Sequence, residues 1–315
     1  MCKRPGRFLF RFFQTSLLSV RKTRALFMTT NGASAGAVTL DYATPDESLR
    51  HFLSVFYEFR AEVPVFEDVE RADLAQFRFL LKGRGCYTFS DGVAMAAPVI
   101  QILGPSTGPT GVRVEGPVDM FGVGLLPAGW GALLDFEASV LVNRVIDATD
   151  VFGPGLNITL QALRDSGSFE ERVAIGNAFA HEMAARDIGG ASAFTHVVDQ
   201  WLTSSPSPSI DELVRAAGVS RRQVERHCKK LYGSPPKLLA RKYRALRAAI
   251  CLAKGESCTQ DLVDDGFYDQ SHFIREIKHF TGLTPGKIAE DFSVLAKLTL
   301  KRTEFDELAP LITNT

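Results

Sequence analysis

The feature that most limits what this chain can fold into is an internal repeat toward its carboxy-terminal end. Laying SRRQVERHCKKLYGSPP, from Ser220, over DQSHFIREIKHFTGLTP, from Asp269, pairs Arg226 with Arg275, Lys229 with Lys278, Gly233 with Gly282 and Pro236 with Pro285 at a constant offset of 49 residues. Val224, Cys228 and Leu231 keep the same offset with Phe273, Ile277 and Phe280. The spacing i, i+4, i+7 puts each trio on one helix face, which must be buried. A glycine turn and a cap precede each copy: Gly218 then Ser220, with Gln223 at the capping-box position, and Gly266 then Asp269. Ser209 with Glu212 opens the helix IDELVRAA, which stops at Gly218. Two short helices joined by a glycine turn make a helix-turn-helix unit, and the pattern predicts two of them.

With the apolar trio inward, Arg222, Glu225, Arg226 and Lys229 face outward in the first unit, and Ser271, Ile274, Arg275 and Lys278 in the second. A helix in the major groove needs such a face. Arg bridges guanine O6 and N7, Glu accepts from cytosine N4, and an apolar side chain such as Ile274 meets a thymine methyl. Between the units, PPKLLARKYRALRAAICLAKG reads as a connecting helix with Leu239, Tyr243, Leu246 and Ile250 on one stripe and Lys237, Arg241, Arg244 and Arg247 off it. It would fix the spacing of the two reading helices.

The 315-residue chain has zero formal net charge, but Arg215 to Lys254 holds twelve Lys or Arg against one acid, Glu225. A merely solvated helix surface would intersperse acids, so this density points to a phosphate backbone. Ser220, Arg221, Lys229, Lys230, Arg241, Arg244 and Lys278 form the expected phosphate-contact set.

Upstream, Gln76 to Leu126 offers short β-prone runs punctuated by glycines (QFRFLL, CYTF, VAMAAPVIQIL, GVRVEG, VDMFGVGLL), as expected for a small antiparallel sheet or barrel. The period then turns helical in AGWGALLDFEASVLVNRV, GLNITLQALRDS, SFEERVAIGNAFAHEMAARD and ASAFTHVVDQWLTSS, where Ser168 and Glu171 read as a capping box. Residues 204–209, SSPSPS, cannot continue a helix and mark a linker. The expected fold class is α+β. A sheet-or-barrel domain with helices covers 38–203, an all-α domain of two helix-turn-helix units covers 209–291, and 292–315 is an extension. Residues 1–28 carry seven basic residues and no acid, and read as a disordered arm or as sequence upstream of a start at Met28. No apolar run reaches membrane-spanning length. The five scattered cysteines lack zinc spacing and read as reduced thiols in the cytoplasm.

The stretches SIDELVRAAGVSRRQVERHCKKLYGSPPKLLARKYR and GFYDQSHFIREIKHFTGLTP resemble the DNA-binding domain of the AraC family of transcriptional regulators over about residues 209–291. The resemblance implies seven helices and binding to double-stranded promoter DNA as a monomer or homodimer, with RNA polymerase as a partner in a bacterial cytoplasm. It implies base-reading roles for Arg222, Glu225 and Arg226, and for Gln270, Ser271, His272, Ile274 and Arg275. Glu225 departs from the neutral or basic residue common at its position, and KIAED lacks the usual Tyr-Arg ending. GPSTGP, FGVGLLPAGWGALL and VIDATDVFG more loosely resemble the amino-terminal domain of one subgroup. That likeness implies a sensory or dimerisation domain, modulated by a small-molecule effector or by dimerisation, and names no ligand.

Catalysis finds little support: GxSxG, P-loop and HExxH patterns are missing, and the six histidines are dispersed. No cofactor or metal is expected. An enzymatic alternative would use Cys86 of GRGCYTF as nucleophile, with Arg84 as the neighbour that lowers its pKa.

Overall fold

The computed structural model describes residues 27–28, 38–184, 191–255, 266–290 and 295. The expected arm, apart from Phe27 and Met28, lies outside the described residues, as do the extension apart from Leu295, and both Cys2 and Cys258.

The amino-terminal part is one antiparallel sheet of nine strands: β1 (Phe27–Met28), β2 (Val38–Ala43), β3 (Leu53–Ala61), β4 (Val65–Glu70), β5 (Ala75–Thr88), β6 (Ala94–Ala96), β7 (Ile100–Leu103), β8 (Thr110–Leu125) and β9 (Val145–Asp147). The order is β1-β2-β3-β8-β5-β7-β9, with β4 added to β8 and β6 to β5. β8 is shared: its first half pairs with β4 and its second with β3, while β5 runs along its other side. This sharing curls the sheet around an apolar interior that includes Leu40, Val55, Phe59, Phe66, Leu80 and Val118.

The outer face packs on helices α1 (Pro127–Leu133), α2 (Thr149–Phe152), α3 (Leu156–Asp165) and α4 (Phe169–Ala184), through a core that includes Phe56, Phe77, Phe121, Trp130, Leu163 and Val173. Arg172 fastens α4 to the sheet. Its guanidinium donates to both carboxylate oxygens of Asp119, at 2.7 and 2.9 Å, and to the buried Glu58.

Three readings of this half change. QFRFLL and CYT join into the single strand β5, and GVRVEG joins VDMFGVGL in β8, so several glycines expected to break strands lie inside them. Strands β2 to β4 had no counterpart in the sequence reading. AGWGALLDFEASVLVNRV is not one helix: α1 ends at Leu133, where the Trp130 indole donates to the Phe136 carbonyl, and a 3-10 turn (Ala138–Leu141) then leads into β9. The box at Ser168 is half formed. Its hydroxyl accepts from the Glu171 amide, but the Glu171 carboxylate accepts from Gly167.

The carboxy-terminal part is helical: α5 (Ala191–Ser204), α6 (Ile210–Ala217), α7 (Arg221–Tyr232), α8 (Pro236–Lys254), α9 (Gln270–Thr281) and α10 (Pro285–Glu290). Two cores support it. Val198, Trp201 and Leu202 of α5 join Leu213, Val224, Cys228 and the first half of α8 in one, while the second half of α8 joins Phe273, Ile277, Phe280 and Ile288 in the other. Helix α5, expected in the first domain, thus packs into the first helix-turn-helix core, and Trp201 donates to the Ser209 carbonyl across the Ser-Pro segment. The compositional break at 204–209 falls within a packed unit because the stripe of α5 has its partner beyond the break.

Candidate nucleic-acid interface

Both reading helices are built as the repeat demands. Ser220 caps α7 in a complete box: its hydroxyl accepts from the Gln223 amide and the Gln223 side chain accepts from the Ser220 amide. Asp269 caps α9, accepting from the His272 amide at 2.6 Å. Each helix ends on a left-handed glycine, Gly233 at φ +75° and Gly282 at φ +79°, and in each copy the proline of the repeat is the first residue of the next helix. Val224, Cys228, Leu231, Phe273, Ile277 and Phe280 are all buried.

Gly266 differs from expectation. It lacks a positive φ, and a Cβ there would come within 2.9 Å of Arg244 Cδ, so it is small to admit that side chain.

Of the expected base-reading residues, Arg222, Glu225 and Arg226 are exposed on α7, and Gln270, Ser271, Ile274 and Arg275 on α9. His272 is half-buried, with its Nδ1 accepting from the Tyr268 amide. The field around α7 is positive: burial lowers the His227 pKa, and Arg226 and Lys230 lower it further. Burial, with Glu225 adding to it, pushes the Cys228 thiol up to about 12, as suits an inert core group.

The expected phosphate set divides. Arg221, Lys229, Lys230 and Lys278 are exposed. The Ser220 side chain is engaged in its capping box. Arg241 and Arg244 are engaged within the protein. Arg241 makes a two-pronged pair with Glu276, at 2.9 and 2.7 Å, and this bond holds its pKa above the ordinary value. Arg244 is buried, with its guanidinium 5.0 Å from the centre of the Phe267 ring, and burial lowers its pKa. Burial alone would raise the Glu276 pKa, but Arg241 overrides it and the carboxyl ends below its usual range. The cause of both corrections is Glu276, an acid from the second unit that reaches back to the connecting helix.

Sequence reasoning also missed Lys242. This buried lysine of α8 donates to the carbonyls of Asp73, at 2.7 Å, and Ser106, at 3.0 Å, and so ties the helical part to the sheet. The 104–109 loop continues the contact. Pro105 and Val142 lie against Gly233, and Pro109 and Val69 against Gly282. Its segment GPSTGP was legible only as a resemblance. Glu137, at the tip before the 3-10 turn, shares a groove with Arg222, Glu225, Arg226 and Lys229 of α7.

Inside the curled sheet lies a cavity of about 70 Å³. One wall is polar: buried Arg78 donates to Glu70 at 3.0 and 3.1 Å, to the Tyr57 hydroxyl at 2.8 Å, to the Tyr87 hydroxyl at 3.0 Å and to Gln76. Burial opposes the Arg78 charge, but Glu70, Tyr57 and Tyr87 together outweigh it and hold its pKa above the ordinary value. Cys86 also lines this cavity, but the Arg84 expected to activate it is paired with Glu115. Among the described residues, no group of three or more His, Cys, Asp or Glu is placed to hold a metal ion, and no helix is long and apolar enough to cross a membrane.

A family model described as "Helix-turn-helix domain" matches residues 213–291. No curated protein matches the chain. Among solved structures, ToxT from Vibrio cholerae O395 is similar at 12% identity and a TM-score of 0.42, covering 75% of this chain and 97% of that one. Unsaturated-fatty-acid-bound ToxT from V. cholerae strain SCE256 is similar at 11% identity and 0.43, over 74% and 94%. The AraC-like transcriptional activator CuxR is similar at 14% identity and 0.29, over 75% and 90%. Residues 213–291 of the chain are a helix-turn-helix DNA-binding domain of the AraC type.

Proposed function

We propose that the protein is a transcription regulator that reads double-stranded promoter DNA with α7 and α9 in the major groove, and whose sheet domain receives a small-molecule effector. The observation that carries the reading is the matched build of the two helices. They have the same cap position, the same buried trio, the same terminal glycine and an exposed arginine 49 residues apart. In this assignment Arg222, Glu225, Arg226, Gln270, Ser271, His272, Ile274 and Arg275 read bases, and Arg221, Lys229, Lys230 and Lys278 hold phosphates.

The effector reading rests on the cavity. At about 70 Å³ it is well below the roughly 300–1,000 Å³ of ordinary ligand sites, so an effector enters by parting its walls. Action through RNA polymerase and binding as a monomer or a homodimer belong to the same proposal.

Selection of bound fragments from random duplexes tests it. Two helices on one DNA face yield a motif of two conserved blocks about 10 base pairs, or ~34 Å, apart. Recovery of a single short block, or of none, overturns the two-helix reading.

A further inference from the structure

We infer that residues 70–74 form a strap through which the sheet cavity acts on the second reading helix; only the consequence for DNA rests on the proposed function above. Four successive residues carry the inference, and between them they touch the cavity wall, the core of α9 and the 104–109 loop. Glu70, the last residue of β4, holds Arg78 in the cavity wall, and Arg71 lines the same cavity. Ala72 is wholly buried, yet it belongs to the core built on Phe273, Ile277 and Phe280 rather than to a core of its own sheet, and its amide donates to the Phe280 carbonyl at 2.8 Å. Asp73 is cross-tied to Ser106, its amide donating to the Ser106 hydroxyl at 2.8 Å, and its carbonyl accepts from Lys242.

Length makes this a coupling. Residues 70 and 72 are two residues apart, a reach of at most about 7 Å, so little slack separates the Arg78 wall from the core of α9. Anything that draws Arg78 away from Glu70 therefore moves Ala72 or breaks its seat, and close-packed cores pass such shifts on as discrete repacking. The seat lies at the carboxy-terminal end of α9, while the reading residues Gln270 to Arg275 occupy its first half. A seated strap thus holds the helix without covering its reading face, and an unseated one frees α9 relative to α7. Lys242 and the 104–109 loop brace the same junction, reaching Gly233 and Gly282 at the ends of both helices.

Hydrogen exchange of the full chain, without DNA, tests the strap. Glu70→Gln keeps the shape of the side chain and removes only its charge-assisted pair with Arg78. It is expected to speed exchange about tenfold at Ala72 and from Phe280 to Leu283, in line with loss of one charge-assisted bond. Unchanged rates from Phe280 to Leu283 overturn the inference. Should Glu70→Gln unfold the sheet, seen as lost protection across β2 and β3, Lys242→Met reads the strap from its other end. Faster exchange at Val69 to Ala72 is then expected, and unchanged rates there overturn it. Because no DNA is present, a positive exchange result alongside unselective DNA binding sinks the proposed function and leaves the strap standing; the reverse result sinks the strap alone.

Discussion

Arg226 and Arg275 occupy equivalent positions on α7 and α9, and both are exposed. Arg244, on the helix between them, is not. Its burial against Phe267 and Glu276 separates two arginines that sequence alone grades alike. Arg226→Ala and Arg275→Ala should each cost about 1–3 kcal/mol on a selected site, roughly five- to 150-fold in affinity, with little change on random duplex. Titration of labelled DNA of both kinds checks this, and equal losses on both would remove the base-reading role. Arg244→Ala should behave differently. It should lower the stability of the helical part, with the midpoint of urea unfolding falling while the salt dependence of DNA binding of the remaining folded protein is kept. The repeat exposed which side chains leave the core. It could not expose Glu276, whose partner sits 35 residues earlier on another helix.

Elements carry their own predictions because caps and termini can be changed without touching the reading face. Gly218 and Gly233 both adopt left-handed backbone, at φ +65° and +75°. A Cβ on Gly218 meets nothing within 4 Å, whereas one on Gly233 comes to 2.7 Å from both Pro105 and Val142 of the sheet domain. Gly218→Ala should therefore cost only the backbone term of about 1–2 kcal/mol, and Gly233→Ala should cost more, the excess being the docking of α7 on the 104–109 loop. Equal shifts in urea midpoint would show that this contact adds nothing.

Between α5 and α7, Asp199 accepts from the Tyr232 hydroxyl at 2.8 Å, and burial pushes its pKa up to about 7 despite that bond. A carboxyl that holds its proton more tightly folded than unfolded stabilises the fold at low pH. Its contribution is complete below the unfolded value near 3.8 and is lost as pH rises through about 7. Unfolding followed at pH 5, 6, 7 and 8 should show this decline, and Asp199→Asn should flatten it.

The same scale explains which elements were legible. Caps, terminal glycines and the buried trio are local signals and were read directly. Strand β3 was not, because both its faces are covered: Val55, Tyr57 and Phe59 point into the curled sheet and Phe56 points to the helices, so no polar alternation marks it.

At the scale of the whole molecule, a zero net charge conceals a division. The twelve basic residues between Arg215 and Lys254 face one acid, so the rest of the chain carries the compensating negative excess. Such a molecule should meet DNA through one side only, with the sheet domain repelled and the helical part attracted. Sequence density overstated that attraction, because Lys242 and Arg244 are buried and Arg241 is half-buried against Glu276. Of the expected phosphate-contact set, Arg221, Lys229, Lys230 and Lys278 keep exposed side chains free of the capping box and of Glu276. Counterion release then sets a slope of log affinity against log salt of about −4, near −0.9 per phosphate contact. Lys229→Ala and Lys278→Ala should each make the slope shallower by about one and weaken selected and random duplexes alike. Removing an acid from the groove beside α7, by Glu137→Gln, should strengthen both kinds of binding at low salt, since that carboxylate shares space with Arg222, Arg226 and Lys229. A salt series on these three variants separates the contributions. A slope of about −5 or steeper in the unaltered chain would require two further phosphate contacts, the number Arg241 and Arg244 of α8 would add, and with them reverse the orientation assigned to the connecting helix.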